Sequence, residues 1–156
     1  MRLRTAVRAL VLDPADRIVL VRFEFADRTV WAAPGGGLEE GEDDAAALAR
    51  ELREELGLEL GSPIGSCVWV RTHVVPIGRW DGQTERYYVV RVPRFEIAPA
   101  LTPDELRAEG VVEIRWWTLA ELDAATGVAF APGRLPEELR GLLRSGPGAK
   151  PIDVGV

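Results

Sequence analysis

The residues most able to do chemistry lie between Pro34 and Leu58, where PGGGLEEGEDD runs directly into AAALARELREELGL. Asp43 or Asp44 reads as a helix N-cap, Ala45 to Leu56 are strong helix formers, and Gly57 stands where a left-handed cap is expected. At helical periodicity Ala45, Ala49, Leu52 and Leu56 form an apolar stripe, while Glu51, Glu54 and Glu55 gather on another face, away from the core. Carboxylates at i, i+3 and i+4 stand about 5–6 Å apart and repel one another on a bare helix. A divalent cation reverses that sign, and an oxygen-only donor set suits Mg²⁺ or Mn²⁺. Taken alone, such a face is also what a solvated helix shows, partly relieved by Arg50 and Arg53. Three consecutive glycines, Gly35 to Gly37, just ahead of it tip the reading, because glycine lets a loop's backbone approach a ligand closely.

The rest of the chain must hold that helix in place. Its 156 residues suit one domain with a real core, and 47% apolar and 28% charged residues fit a globular protein rather than a disordered one. A net charge of −6 argues against a nucleic-acid polymer or an anionic membrane as the partner, since both favour basic surfaces. It leaves room for a phosphorylated small molecule whose charge a cation offsets. The single cysteine, Cys67, cannot form an internal disulfide, which points to a reducing cytoplasm. It has no motif beside it to activate it, so it reads as a small buried residue. Arg4 and Arg8 interrupt the first apolar run, so no signal peptide or membrane span is expected there.

Apolar runs at Thr5 to Leu12 and Arg17 to Phe25, separated by Asp13-Pro14-Ala15-Asp16, predict a β-hairpin. Trp31 to Ala33 ends a further short strand closed by Pro34, and Ser66 to Val75 and Glu85 to Val92 read as two more. Thr102-Pro103-Asp104-Glu105 and Thr118-Leu119-Ala120-Glu121 are capping-box helix starts, with a strand from Val111 to Trp117 between them. Leucines at 135, 139, 142 and 143 mark a last helix. The expectation is a single α+β domain over residues 1–145, followed by a mobile Pro/Gly-rich tail over 146–156.

The stretch from Gly36 to Leu58 resembles the signature of the Nudix hydrolase family, G-x5-E-x7-R-E-U-x-E-E-x-G-U with U aliphatic, and fills every specified position. Gly36 opens it, Glu42 is its first acid, Arg50-Glu51 its Arg-Glu pair, Glu54-Glu55 its double glutamate, and Gly57-Leu58 its close. The resemblance implies an α/β/α sandwich with a mixed β-sheet. It also implies hydrolysis of the diphosphate linkage in a nucleoside diphosphate joined to another group, dependent on Mg²⁺ or Mn²⁺. On the family pattern Glu51, Glu54 and Glu55 bind metal, Arg50 orients Glu51 or supports the box, and Glu42 stabilises the helix start. Gly36 and Gly37 belong to the substrate loop. Glu51 is the expected general base, and Glu85, Glu109 and Glu113 are the candidates outside the box.

Substrate recognition calls for stacking surfaces and phosphate donors. Trp31, Trp69, Trp80, Tyr87, Tyr88, Phe23 and Phe25 could stack, though aromatics on strands are usually core, and Trp116 and Trp117 must face opposite ways. Arg22, Arg71 and Arg86 could reach phosphate or lie on a solvated strand face; the lone His73 reads more readily as structural. We carry Arg22 and Glu85 forward as substrate-binding candidates. Substrates compatible with this reading are nucleotide sugars such as ADP-ribose, dinucleoside polyphosphates and nucleoside triphosphates, with capped RNA disfavoured by the acidic charge. The alternative is a nucleotide-binding sensor of the same fold without turnover. An isomerase is disfavoured, because one Cys and one His cannot supply its metal set. A homodimer is compatible with the Trp-rich strands.

Overall fold

The computed structural model describes residues 1–61 and 63–156. Strands β1 (Leu3–Leu12), β2 (Ile18–Glu24), β3 (Thr29–Ala32) and β4 (Gly35–Gly37) precede helix α1 (Asp44–Leu56). After it come β5 (Trp69–His73), β6 (Gly82–Arg91), α2 (Pro103–Ala108), β7 (Val111–Trp117), α3 (Leu119–Ala124), β8 (Phe130–Ala131), α4 (Leu135–Ser145) and β9 (Ile152–Asp153). One curled mixed sheet runs β8-β3-β2-β1-β6-β5-β9, with β4 paired to β1 and β7 to β2. β1 lies parallel to β6 along its whole length, from Leu3↔Gly82 to Leu12↔Arg91.

Alternation along the strands sends side chains to two cores. Val7, Ala9 and Val11 pack with Ala47, Leu48, Leu52 and Leu56 of α1 on one face. Leu10 and Leu12 pack with Leu122 of α3 and Leu135 and Leu139 of α4 on the other. Trp116 and Trp117 divide as expected. Trp117 is buried in the second core against Trp31 and Phe130, whereas Trp116 lies over the first and donates from Nε1 to Phe95 O at 3.1 Å. The architecture is thus an α+β sandwich with helices on both sides of a mixed sheet. No helix among the described residues is long and apolar enough to cross a membrane.

Four expectations need correction. The first two strands join at a turn, where Asp13 accepts from the Ala15 and Arg17 amides, but they pair only at Leu12↔Ile18. β2 then leaves to pair with β3 and β7, because β4 occupies the edge of β1 at Ala6 to Arg8. Second, the three glycines form that strand rather than a loop. Third, the strand expected from Ser66 to Val75 narrows to Trp69–His73, leaving Val74 and Val75 exposed at its end. Fourth, the tail is docked: β9 runs parallel to β5, Ile152 N and Val154 N donate to Val68 O and Val70 O, and Val154 enters the core. Main-chain pairing to an open sheet edge outweighs the local Pro/Gly preference for disorder.

Candidate active site

Helix α1 starts where Asp43 accepts from Ala46 N, and ends on Gly57 in the left-handed region at φ 68°. Its buried stripe is Ala47, Leu48, Leu52 and Leu56, while Ala45 is exposed, so the apolar face is rotated from the one read from sequence. The rotation brings Glu51 and Glu55 into the interior, at 6% and 1% exposure, so the acidic face is not a solvated one.

Arg50 organises this region. Its Nε and NH2 donate to the two oxygens of Glu42 at 2.8 and 2.9 Å, NH2 also donates to Gly37 O at 3.1 Å, and NH1 reaches Glu51 Oε1 at 3.0 Å and Glu54 Oε2 at 3.4 Å. One planar guanidinium therefore ties the loop acid, the glycine strand and two helix carboxylates together. Hydrogen bonding from Arg50 brings the Glu42 carboxyl down to about 2, and Glu42 in turn caps the loop by accepting from Glu39 N.

Carboxylate oxygens of Glu51, Glu54 and Glu109 lie within 4.8 Å of one another. Glu109 arrives from the C-terminal cap of α2, a helix placed by its Thr102–Glu105 capping box. Of the three outside candidates it is the one that joins the box. Burial pushes the Glu51 carboxyl up against the pull of Arg50, and burial together with Glu54 pushes Glu109 up. Arg50 pairs with Glu51 and Glu54, Glu109 has no ion-pair partner among the described residues, and the donors are all hard oxygens. Those properties fit a divalent cation such as Mg²⁺ or Mn²⁺. Glu55 stands behind this group: its Oε1 accepts from Gly35 N at 2.8 Å, and burial, then Glu51, raises its carboxyl well above the usual range.

The need for glycine in β4 is spatial. Gly35 has φ 144°, and a Cβ there would lie 2.0 Å from Val7 O. A Cβ on Gly36 would meet Glu51 Oε1 at 2.6 Å, and one on Gly37 would meet Arg4 Nε at 2.1 Å. Successive strand residues face opposite ways, so β4 is a partition one backbone thick, with Glu51 on one side and Arg4 on the other.

Glu85 occupies a different setting. It is 2% exposed and accepts from Arg8 Nε at 2.7 Å, Arg71 NH1 at 2.5 Å, Gln83 Nε2 at 3.1 Å and Tyr87 OH at 3.3 Å. Burial alone would raise its carboxyl, but Arg8 and Arg71 prevail and bring it to about 2. Arg8 passes that anchorage to the site, because its NH1 donates to Ala33 O and Gly35 O. Sequence reasoning overlooked Arg8. The signal was present, since Arg8 shares a strand face with Ala6 and Leu10 and so points inward with them. Arg22 and Glu113 pair with each other at 3.6 Å on neighbouring strands, and Arg86 is engaged with Asp44 on the α1 side. Those three are not brought to the carboxylate group. His73 ends β5, and Cys67 is half-buried with Sγ donating to Trp69 O.

A family model described as the NUDIX domain matches residues 2–138. Nudix hydrolase 25 of Arabidopsis thaliana is 32% identical over 95 residues, 53% of each chain. An RNA pyrophosphohydrolase of Brucella ovis is 32% identical over 115 residues, 64% of this chain and 65% of its own. The chain spans between about half and 65% of the length of these curated relatives. Among solved structures, the MutT protein from Methanosarcina mazei Go1 superposes with a TM-score of 0.66 at 16% identity, covering 92% of this chain and 94% of its own. The NUDIX domain of Shewanella oneidensis NrtR, complexed with ADP ribose, gives 0.66 at 19% identity over 92% and 90%. The box read along the sequence closes in space, and the matching family model extends well beyond it through most of the sandwich: the chain belongs to the Nudix family.

Proposed function

We propose that this protein hydrolyses the diphosphate linkage of a nucleoside diphosphate joined to another group, using Mg²⁺ or Mn²⁺, in a cytoplasmic setting. The observation that carries the reading is the convergence of Glu51, Glu54 and Glu109 within 4.8 Å beside Arg50. Glu51, Glu54 and Glu109 would hold the cation, and Glu55, through its hydrogen bond from Gly35 N, ties helix α1 to the glycine strand beside them. When bound, the cation neutralises the diphosphate and lowers the pKa of a water. Glu51 accepts a proton from the attacking water, whose oxygen bonds to phosphorus as the bridging P–O bond breaks and the second phosphate departs. Arg50 fixes the orientation of Glu51 and Glu54 throughout. Gly36 and Gly37, lacking side chains of their own, leave room for the Glu51 carboxylate and the Arg4 guanidinium to lie against β4.

The test is a hydrolysis screen with Mg²⁺ and Mn²⁺ over ADP-ribose, dinucleoside polyphosphates, nucleoside triphosphates and a 5′-polyphosphorylated RNA, run beside Glu54→Gln and Glu109→Gln. RNA is included because relatives bear the name RNA pyrophosphohydrolase, although the net charge of −6 favours small nucleotides. Metal-dependent turnover lost in both variants supports the reading. Tight nucleotide binding without turnover would replace it with the sensor reading, which the resemblance to the ADP-ribose-bound NrtR domain keeps in view.

A further inference from the structure

Most arginines near the site have their charge engaged: Arg8 and Arg71 on Glu85, Arg50 on Glu42 and Glu51, Arg86 on Asp44. Arg4 differs. It sits on β1 opposite Gln83, partly buried, with its guanidinium laid over Gly37, and among the described residues it forms no ion pair and no side-chain hydrogen bond. Its charge still reaches the carboxylate group. Glu51 is the acid that most supports the Arg4 charge. Burial and the neighbouring Arg8 both work against the Arg4 charge. A guanidinium kept in such a place with all its donors free is a receptor for an anion. The geometry also says which part of a ligand it meets. Glu51 lies against Gly36 and Arg4 against the next residue, Gly37, so the two side chains stand at consecutive positions of the glycine strand.

We propose that Arg4 is a substrate-binding residue whose guanidinium takes oxygens of the phosphate next to the one held at Glu51, Glu54 and Glu109. This rests on the hydrolytic reading above for the identity of the ligand as a diphosphate. Gly37 is then glycine for Arg4 rather than for the backbone, since any side chain there displaces the guanidinium. That displacement is mild structurally, because the colliding atoms are the far end of a flexible side chain and Gly37 has an ordinary φ.

The experiment pairs Arg4→Ala, Arg4→Lys, Gly37→Ala and the Arg4→Ala/Gly37→Ala double variant. Affinity for the non-hydrolysable α,β-methylene ADP with Mg²⁺ is measured by calorimetry, KM and kcat on the substrate found in the screen, and folding by thermal melting. Arg4→Ala is expected to weaken analogue binding and raise KM by about tenfold or more, the loss expected for a charge-assisted contact. Arg4→Lys keeps part of the affinity, because a point charge replaces the fork. Gly37→Ala reproduces the Arg4→Ala loss, and the double variant is no worse than either single one. Unchanged analogue affinity in a folded Arg4→Ala overturns the proposal, as does strict additivity of the two substitutions. Wild-type protein that binds the analogue in an Arg4-dependent way yet turns over nothing supports the Arg4 assignment while removing the hydrolytic reading. Turnover that is indifferent to Arg4 does the reverse.

Discussion

Arg50 grips Glu42 through two parallel hydrogen bonds, at 2.8 and 2.9 Å, across eight residues of chain. The pair joins the loop to the helix, and the remaining donors of the same guanidinium then have no freedom except toward Gly37 O, Glu51 and Glu54. Arg50→Lys keeps the charge but loses the fork. We expect kcat to fall by about 10–100-fold, the usual cost of losing a partner that orients a ligand carboxylate. Glu42→Gln should fall in the same direction by less. Equal kcat in wild type and Arg50→Lys would refute the orienting role.

The carboxylates should separate into two classes. Glu51→Gln, Glu54→Gln and Glu109→Gln each remove a hard oxygen donor, and kcat should drop by about 10²–10³-fold, as when an electrostatic stabiliser of the transition state is lost. Mn²⁺ titration followed by electron paramagnetic resonance should weaken in the same three. Glu113→Gln, which changes only an exposed pair with Arg22 and Arg115, should stay within about twofold of wild type.

Glu85 carries a stability signature in acid. Its carboxyl is held at about 2 in the folded protein against an ordinary 4.5, so it contributes stability above pH 4.5 that is lost as pH falls through about 2. The contribution is on the order of 3 kcal/mol. Glu85→Gln would leave the buried Arg8 and Arg71 charges uncompensated and destabilise the fold by about 3–5 kcal/mol at neutral pH. Urea unfolding at pH 7 and pH 3 reads both, and the wild-type loss of stability between those values should shrink in the variant.

Glycine substitutions in β4 should dissociate folding from activity. Gly35→Ala places a Cβ against the β1 backbone at a φ of 144° and should cost several kcal/mol, about 3 or more. In Gly36→Ala the three atoms nearest the new Cβ all belong to the Glu51 carboxylate, the far end of a flexible side chain, so melting should change little while kcat falls with the displaced Glu51. A Gly36→Ala protein as active as wild type would show that Glu51 works from elsewhere.

Deleting residues 151–156 removes β9 and Val154 and reopens the β5 edge. Losing one buried valine and the main-chain bonds to Val68 and Val70 should destabilise the fold by about 2–4 kcal/mol. Thermal melting checks it; an unshifted melt would mean that the tail is an ornament.

The local elements were legible because they are written locally. The Asp43 cap, the Gly57 stop and the two capping boxes of α2 and α3 each lie within a few residues of what they terminate. Membership of the box was legible as well, since Gly36 to Leu58 is one continuous register. Tertiary structure decided what lies far apart in the chain. Glu109 reaches Glu51 and Glu54 only because α2 is packed beside β7, and nothing in its own neighbourhood distinguishes it from Glu113. Glu85 is a buried counter-ion because the parallel pairing of β1 with β6 sets it against Arg8. The three glycines, too, take their reasons from distant residues: Val7, Glu51 and Arg4 each fill the space a side chain would need. Sequence periodicity reports which way a side chain points relative to its own element; only the packing of elements says what it meets there.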